Sequence, residues 1–297
     1  DASDDGRCVV VRGSTDLVAG ATPQFADALV IIDRVAGTSR LAAHRFGAPT
    51  AVPSAYVGRG AVASDCSHAF ESDASDIVSP QEPSSYRDLF VGGPGAEATL
   101  ASTREGGGLP TSDGSVASLR LATSVAPGGR ALAYTSTGHD VVPGYPYRTN
   151  VPENLYIGDE VSGSALLSPA QGAAVANAYL SAFTPDGRHA LFNTDRAGQI
   201  PGTVDTNDRS DAFLSNGAPV PALLSHRAGD VLTAGNGGSA AIAMSDDARW
   251  HLVRSIATDL IPGFVDGNTA DGADVYVHDA VTGATTLDSH RTSGTTL

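Results

Sequence analysis

Short apolar runs alternate with clusters of glycine, proline, aspartate and asparagine along the whole chain of 297 residues. Runs of this length between turn-forming residues are typical of β-strands. No window of about a dozen residues shows sustained helical spacing with capping residues. The pattern therefore predicts an all-β protein.

The runs recur in five copies, each opened by a polar turn. Measured between equivalent turn residues, the steps are 60, 63, 58 and 61 residues, and the markers are Gly6, Cys66, Gly129, Gly187 and Ala248. A period this regular indicates an array of equal supersecondary units, none of which can bury its apolar face alone.

Each unit contains four predicted strands. An apolar run follows the opening turn, a β-rich run such as 275–277 follows a polar loop, and a last short strand follows a tight turn. The fourth strand is a stretch of small residues that precedes the next opening turn, at 57–63, 115–122, 175–182 and 239–244. We predict antiparallel meanders that close as a five-bladed β-propeller, with blades joined near residues 50, 110, 172 and 235. A right-handed β-solenoid is the rival architecture.

The repeat resembles the TolB-like, WD-like β-propeller family. The resemblance is carried by Pro185–Arg188, by Leu260–Gly263, and by Asp274–Asp279 running into Thr282–Gly283, and it covers essentially the whole chain. Members of that family serve as protein-binding modules, as gating domains beside hydrolases and as parts of cell-surface proteins. The resemblance implies a fold and leaves the function open.

Composition narrows the class of protein. The repeat runs from end to end, which favours one domain over residues 1–297. A net charge of −15 opposes nonspecific binding to nucleic acid. No apolar stretch approaches the ~18–20 residues of a membrane span. The chain begins at Asp1. Processing of an exported precursor would explain that, and so would trimming of a longer chain; we expect a secreted or cell-envelope protein.

Two cysteines fall in neighbouring units, Cys8 at a strand start and Cys66 in an opening turn. The sequence allows either a disulfide or two thiols, buried or free.

Acidic loops between the second and third apolar runs are candidate calcium sites. Closely spaced oxygen ligands interrupted by glycine suit Ca²⁺. The fifth unit offers Asp266, Asn268, Asp271 and Asp274, and the fourth offers Asp205, Asn207, Asp208 and Asp211. The alternative is a solvated loop of Asx turns without a metal.

Basic residues suggest a second candidate site. His-Arg pairs end three units at His44, His226 and His290, and Arg59 and Arg120 are the only charged residues in the small-residue strands. Arginines beside acidic loops commonly form structural ion pairs. Alternatively, these five residues form a ligand-binding rim, with the two arginines holding an anion in the channel.

Sequence signatures of catalysis are absent: there is no Gly-x-Ser-x-Gly, His-Glu-x-x-His or Cys-x-x-Cys motif and no phosphate-binding loop. Glycosidases need a pair of carboxylates, and the small-residue strands contain none. The leading hypothesis is a non-enzymatic binding or scaffold module that meets a protein, glycan or small molecule at its loop face. The alternative is a hydrolase or lyase with an active site built from loops.

Overall fold

The computed structural model describes residues 1–22, 28–81, 86–103, 113–122, 131–138, 141–142, 153–159, 163–166, 177–195, 198–217, 220–267 and 272–289. Those ranges contain 21 strands and a single 3-10 turn at Thr15–Leu17. No helix among them is long and apolar enough to cross a membrane. The all-β class predicted from the sequence is confirmed.

The strands form antiparallel meanders in which neighbours in the chain are neighbours in the sheet. The first sheet has three strands, β1 (Cys8–Gly13), β2 (Ala28–Asp33) and β3 (Thr38–Leu41). The second sheet has four, β4 (Val57–Val62), β5 (His68–Ser72), β6 (Asp88–Gly92) and β7 (Thr99–Leu100). The third has β8 (Val116–Leu121), β9 (Ala131–Ser136), β10 (Asn154–Asp159) and β11 (Gly163–Leu166).

The later part of the chain repeats this plan. The fourth sheet has β12 (Ala178–Phe183), β13 (Ala190–Thr194), β14 (Asp211–Ser215) and β15 (Ala222–Leu223). A short hairpin follows, with β16 (His226–Arg227) and β17 (Asp230–Ala234). The fifth sheet has β18 (Ser239–Met244), β19 (Trp250–Ser255), β20 (Asp274–Asp279) and β21 (Ala284–Leu287).

The small-residue stretches are strands, as predicted: they are β4, β8, β12 and β18, and each pairs with the strand that follows the next opening turn. Sequence analysis missed the hairpin of β16 and β17. Three of the five residues of β17 are exposed, so its side chains carry no alternation between core and solvent from which a strand could be read.

Stacked aromatic pairs lie at equivalent places in three sheets. The ring centroids of Phe70 and Phe90 are 5.4 Å apart, those of Tyr134 and Tyr156 are 5.4 Å apart, and those of Phe192 and Phe213 are 5.5 Å apart. All six side chains are buried. Cross-strand aromatic pairs stabilise sheets, so these pairs contribute to the stability of the second, third and fourth sheets.

Contacts group the chain into two compact units, called unit 1 and unit 2, which are larger than the five repeat units named first to fifth. Unit 1 is Asp1–Val151, Tyr156–Leu166 and Pro185–Gly187, and unit 2 is Pro152–Leu155, Leu167–Thr184 and Arg188–Leu297. Within unit 1 one apolar cluster joins the first sheet to the second through Ile31 and Phe70, and another joins the second to the third through Leu89 and Leu132. Within unit 2 the fourth sheet packs on the fifth. The single domain expected from the repeat stays a prediction.

The opening turns share one unusual backbone conformation. Gly6 and Gly187 have φ of +66° and +71°, and Cys66 and Ala248 occupy the equivalent place with φ of +63° and +54°. Glycine adopts this left-handed region freely, whereas a Cβ atom makes it costly. Two of the turns are therefore strained where the repeat departs from glycine.

Cys8 and Cys66 form a disulfide, with their Cα atoms 5.4 Å apart. Both residues are buried in the apolar cluster between the first and second sheets. Of the two possibilities that the sequence left open, the structure shows the bonded one.

Candidate functional site

The acidic loop of the fourth unit is organised by its own side chains. The Asp205 carboxylate accepts a hydrogen bond from the amide of Asn207 at 3.0 Å, and the Asn207 side chain accepts one from the amide of Arg209 at 2.7 Å. Asp208 is exposed and has a left-handed backbone with φ of +51°. The carboxylates of Asp205, Asp208 and Asp211 do not all lie within 4.8 Å of one another. These are the bonds of Asx turns, and the calcium site stays a prediction.

Asp211 is the first residue of a strand and is buried. Its carboxylate accepts a hydrogen bond from the hydroxyl of Ser225 at 2.8 Å, and the Ser225 hydroxyl accepts one from the amide of Ala212 at 3.0 Å. Burial raises the pKa of Asp211 to about 7, against the hydrogen bond from Ser225, which lowers it.

The same arrangement recurs at the start of two other strands. Asp88 accepts a hydrogen bond from Ser102 at 3.1 Å, and Asp274 accepts one from Ser289 at 3.2 Å. In each case the serine hydroxyl also accepts a hydrogen bond from the amide that follows the aspartate. The recurrence of this hydrogen bond in three sheets indicates a structural role. It joins the start of one strand to the segment that follows the next strand.

The candidate calcium site of the fifth unit is only partly described. Asp266 lies in the loop and Asp274 begins β20. Asn268 and Asp271 lie outside the described residues, so the convergence of four oxygen ligands stays a prediction.

The His-Arg pairs adopt one local conformation in both described units. The Nδ1 atoms of His44 and His226 lie 2.9 Å from the carbonyl oxygens of Arg45 and Arg227. The arginines reach into the following sheet: Arg45 is 3.1 Å from Asp76 and Arg227 is 3.7 Å from Asp259. Structural ion pairs were one interpretation of this motif, and the arginines form them. His290 lies outside the described residues.

Arg59 and Arg120 are exposed residues of β4 and β8. The amide of Arg59 donates to the buried Glu71 at 3.0 Å, and the guanidinium of Arg120 donates to its own neighbour, the carbonyl of Leu119, at 2.9 Å. Neither Arg59 nor Arg120 lines the three pockets formed by the described residues. Anion binding by these residues stays a prediction.

A cleft of about 350 Å³ lies in unit 2, at the ends of the fourth and fifth sheets. Its lining comes from the end of β13, the loop before β14, the start of β18, the end of β19 and the loop before β20, at Asp195, Asp208–Ser210, Gly238–Ala240, Arg254–Ile256 and Ala273. This volume falls within the ~300–1,000 Å³ range of small-molecule sites.

Two exposed arginines, Arg209 and Arg254, line this cleft. A Cβ atom at Gly238 would lie 3.3 Å from the side chain of Arg209, so glycine makes room for that arginine. In the part of the chain that the structure describes, neither guanidinium pairs with a carboxylate. Each is therefore available to an anionic ligand.

Most described arginines are committed elsewhere. Arg7 and Arg249 each make a two-pronged ion pair, with Asp33 and with Asp279, at distances between 2.7 and 3.2 Å. Those bonds hold the pKa of both aspartates well below the usual range. Sequence reasoning missed Arg209 and Arg254 because their only common feature, the lack of a partner, depends on the fold.

Unit 1 has a related cluster at the end of β1, where Arg12 precedes the last residue of its strand as Arg254 does in β19. The half-exposed ring of Tyr56 lies between two guanidinium groups, 4.9 Å from that of Arg12 and 5.3 Å from that of Arg87. Arg87 is 3.6 Å from the buried carboxylate of Glu71. Here the arginines stack on an aromatic ring and bond to the protein, so the cluster is less open to a ligand than the cleft of unit 2.

No known protein-family profile and no curated protein matches the chain. Among solved structures the chain is similar to a candidate dipeptidyl aminopeptidase IV from Bacteroides ovatus, with a TM-score of 0.48 and 10% identity over 96% of this chain and 38% of that chain. It is also similar to a protein from a study of two prolyl endopeptidases, with a TM-score of 0.37 and 12% identity over 97% of this chain and 41% of that one.

A third match is to the hydrazine synthase of Kuenenia stuttgartiensis, with a TM-score of 0.37 and 11% identity over 98% of this chain and 82% of that one. The chain spans about two fifths of the length of the two peptidase structures. Likeness at this level assigns no residue of this chain a role.

Proposed function

We propose that the chain is an exported, non-enzymatic binding module, built as a five-bladed β-propeller of the TolB-like type. The five antiparallel meanders, repeating at about sixty residues, support the architecture. The disulfide between Cys8 and Cys66 supports export, because disulfides persist in oxidising compartments. Calcium in the acidic loops would add stability to this module.

The ligand binds in the cleft of unit 2. This proposal rests on Arg209 and Arg254, which have no carboxylate partner among the described residues. A planar guanidinium binds carboxylate in a two-pronged geometry. Asp195 and Asp208 also line the cleft, and a carboxylate can accept hydrogen bonds from hydroxyl or amide groups of a ligand. The chemistry therefore fits an acidic glycan or a peptide carboxylate.

The enzyme alternative would use Asp205 and Asp211, which line another pocket of unit 2. That pocket measures about 110 Å³. Typical ligand sites start near ~300 Å³, so it is too small to hold a sugar substrate. The hydrogen bond between Ser225 and Asp211 also has counterparts in two other sheets, where a structural role explains it. A binding role is therefore the better explanation of these residues.

Binding to oligogalacturonate, to acidic peptides and to neutral oligosaccharides of equal length tests the proposal by calorimetry. We expect the acidic probes alone to bind, and Arg254→Met and Arg209→Met to weaken binding at least about tenfold, since a charged hydrogen bond contributes ~1.5–3 kcal/mol. Arg34→Met is the matched control, because within the described residues the side chain of Arg34 bonds to the carbonyl of Gly6 in unit 1 and to no carboxylate. Equal binding of acidic and neutral probes would overturn the proposal.

A further inference from the structure

Four of the eight histidines of the chain gather in unit 2, beside the packing between the fourth and fifth sheets. His251 on β19 and His278 on β20 are cross-strand neighbours whose ring centroids are 5.9 Å apart. His226 on β16 meets the His278 ring edge-on at 6.0 Å. His189, which precedes β13, acts on His251 electrostatically.

The central ring of this cluster is poorly solvated. His251 has no exposed surface, and among the described residues neither of its ring nitrogens has a hydrogen-bond partner. The Ala248 backbone lies nearby without hydrogen-bonding geometry. The Nδ1 atom of His278 is 3.0 Å from the hydroxyl of Thr285. The Nδ1 atom of His189 is buried and finds no partner in the part of the chain that the structure describes. A proton added to His251 would therefore bring a charge that burial disfavours, with Asp247 as a smaller compensating influence.

The acidic groups nearest the cluster are already engaged. Asp247 accepts hydrogen bonds from the Ser245 hydroxyl at 2.6 Å and from the Arg249 amide at 3.1 Å. Asp279 is held by the guanidinium of Arg249 through two bonds of 3.1 Å. His278 and His189 also disfavour the charged form of His251, whereas Asp247 favours it.

Electrostatics agree with this geometry. Burial, followed by His278 and His189, lowers the pKa of His251 to about 4 from an ordinary value of 6.5. Burial and His226 lower the pKa of His278 as well. The unfolded chain thus takes up these protons from about pH 6.5 downward while the folded chain resists, so folded stability falls as pH drops from 6.5 towards 4.

The cluster and the cleft share one pair of sheets. Leu191 and Leu214 of the fourth sheet pack on Ala241 and Val253 of the fifth. Arg254 lies three positions after His251 along β19, about 10 Å away at the rise of a strand. The histidine cluster and the cleft therefore depend on the packing of the same two sheets.

We propose that this histidine cluster makes the cleft acid-sensitive: protonation of the cluster loosens the packing of the fourth sheet on the fifth and releases the bound acidic ligand. The release half of this statement rests on the proposed function, and the loosening half does not.

Trp250 reports the loosening without any ligand, because it is the only tryptophan of the chain and adjoins His251. We expect a reversible fluorescence transition with its midpoint between pH 6.5 and 4, absent or moved by at least about 0.5 pH unit in His251→Phe. If that variant does not fold, His226→Gln, at a half-buried ring, should move the midpoint in the same direction. His44→Phe in unit 1 is the matched control and should leave it in place. A midpoint unchanged in both cluster variants would overturn the proposal.

Binding of oligogalacturonate at pH 7 and pH 5 tests the release. We expect at least a tenfold loss at pH 5 in the wild type and a smaller loss in the cluster variant. Equal binding at the two pH values would overturn acid release even with the fluorescence transition present. If no probe binds at pH 7, the proposed function fails, while the fluorescence transition still supports or contradicts the loosening.

Discussion

Cys8, the first residue of β1, is bonded to Cys66, which lies in the turn between β4 and β5 at a backbone position that other units give to glycine or alanine. The bond joins two sheets across 58 residues of sequence. It therefore links the opening turn of one unit to the opening strand of the preceding one.

Removing this disulfide should lower the free energy of unfolding by about 2–5 kcal/mol, because the bond restricts the unfolded chain. Thermal unfolding followed by circular dichroism measures the effect for the double variant Cys8→Ser/Cys66→Ser. A second double variant, Cys8→Ser/Cys66→Gly, relieves the left-handed backbone at 66 and should lose less. If the oxidised wild type melts with the serine variant, the bond does not stabilise the protein.

Ala248→Gly should stabilise the fifth unit by about 0.5–1 kcal/mol, because alanine at φ of +54° carries a steric cost that glycine lacks. Urea unfolding followed by Trp250 fluorescence provides the measurement. Ala243→Gly, within β18 of the same sheet, is the matched control and should destabilise by a similar amount. Loss of stability in both variants would show that the turn is not strained.

Asp211→Asn should stabilise the protein at pH 8.5 by about 1–3 kcal/mol and by less at pH 5. The folded pKa of Asp211 is raised to about 7 from 3.8, so this carboxyl lowers stability progressively as pH rises from 3.8 to about 7, and the cost disappears as pH falls towards 3.8. Asn154 already occupies the first position of β10. Melting temperatures at the two pH values decide the matter, with the exposed Asp246→Asn as control. A loss at pH 8.5 would mean that the charge itself is required.

Calcium should raise the melting temperature if the acidic loops bind it, and magnesium should not, because the loops offer many oxygen ligands in a flexible setting. Asp266→Asn should reduce the shift in the fifth unit, and Asp208→Asn should reduce it in the fourth. A melting temperature indifferent to both EDTA and excess calcium would leave these segments as Asx-turn loops.

Local signals in the sequence predicted the strands of the repeated sheets, because turn residues and apolar runs recur with one period, but they did not predict the hairpin of β16 and β17. The same signals did not show the surroundings of Asp211 and Asp274. Spacing groups them with loop carboxylates, and the structure places each at a strand start, with a serine that follows the next strand as partner. That partner is distant in sequence, so only the pairing of the strands reveals it.

The cleft was beyond sequence reasoning for a related reason. Arg209 and Arg254 are separated by 45 positions and belong to different units of the repeat. Whether an arginine can bind a ligand depends on whether it meets a carboxylate in the fold. The sequence alone does not distinguish Arg209 and Arg254 from Arg7 and Arg249, which form ion pairs. The histidine cluster likewise arises from strand register, which puts His251 opposite His278.

The ion pair between one unit's arginine and the next unit's aspartate has a consequence for how such a chain can change in length. Arg45 with Asp76 and Arg227 with Asp259 join successive sheets, and in both places the residue after the arginine also donates its amide to the carbonyl of that aspartate, at 2.8 Å. Each repeat therefore carries both kinds of residue that form the connection: an arginine near its end and an aspartate nearer its beginning. A copied unit inserted between two others arrives with both halves of the joint, so duplication needs no new interface to be invented.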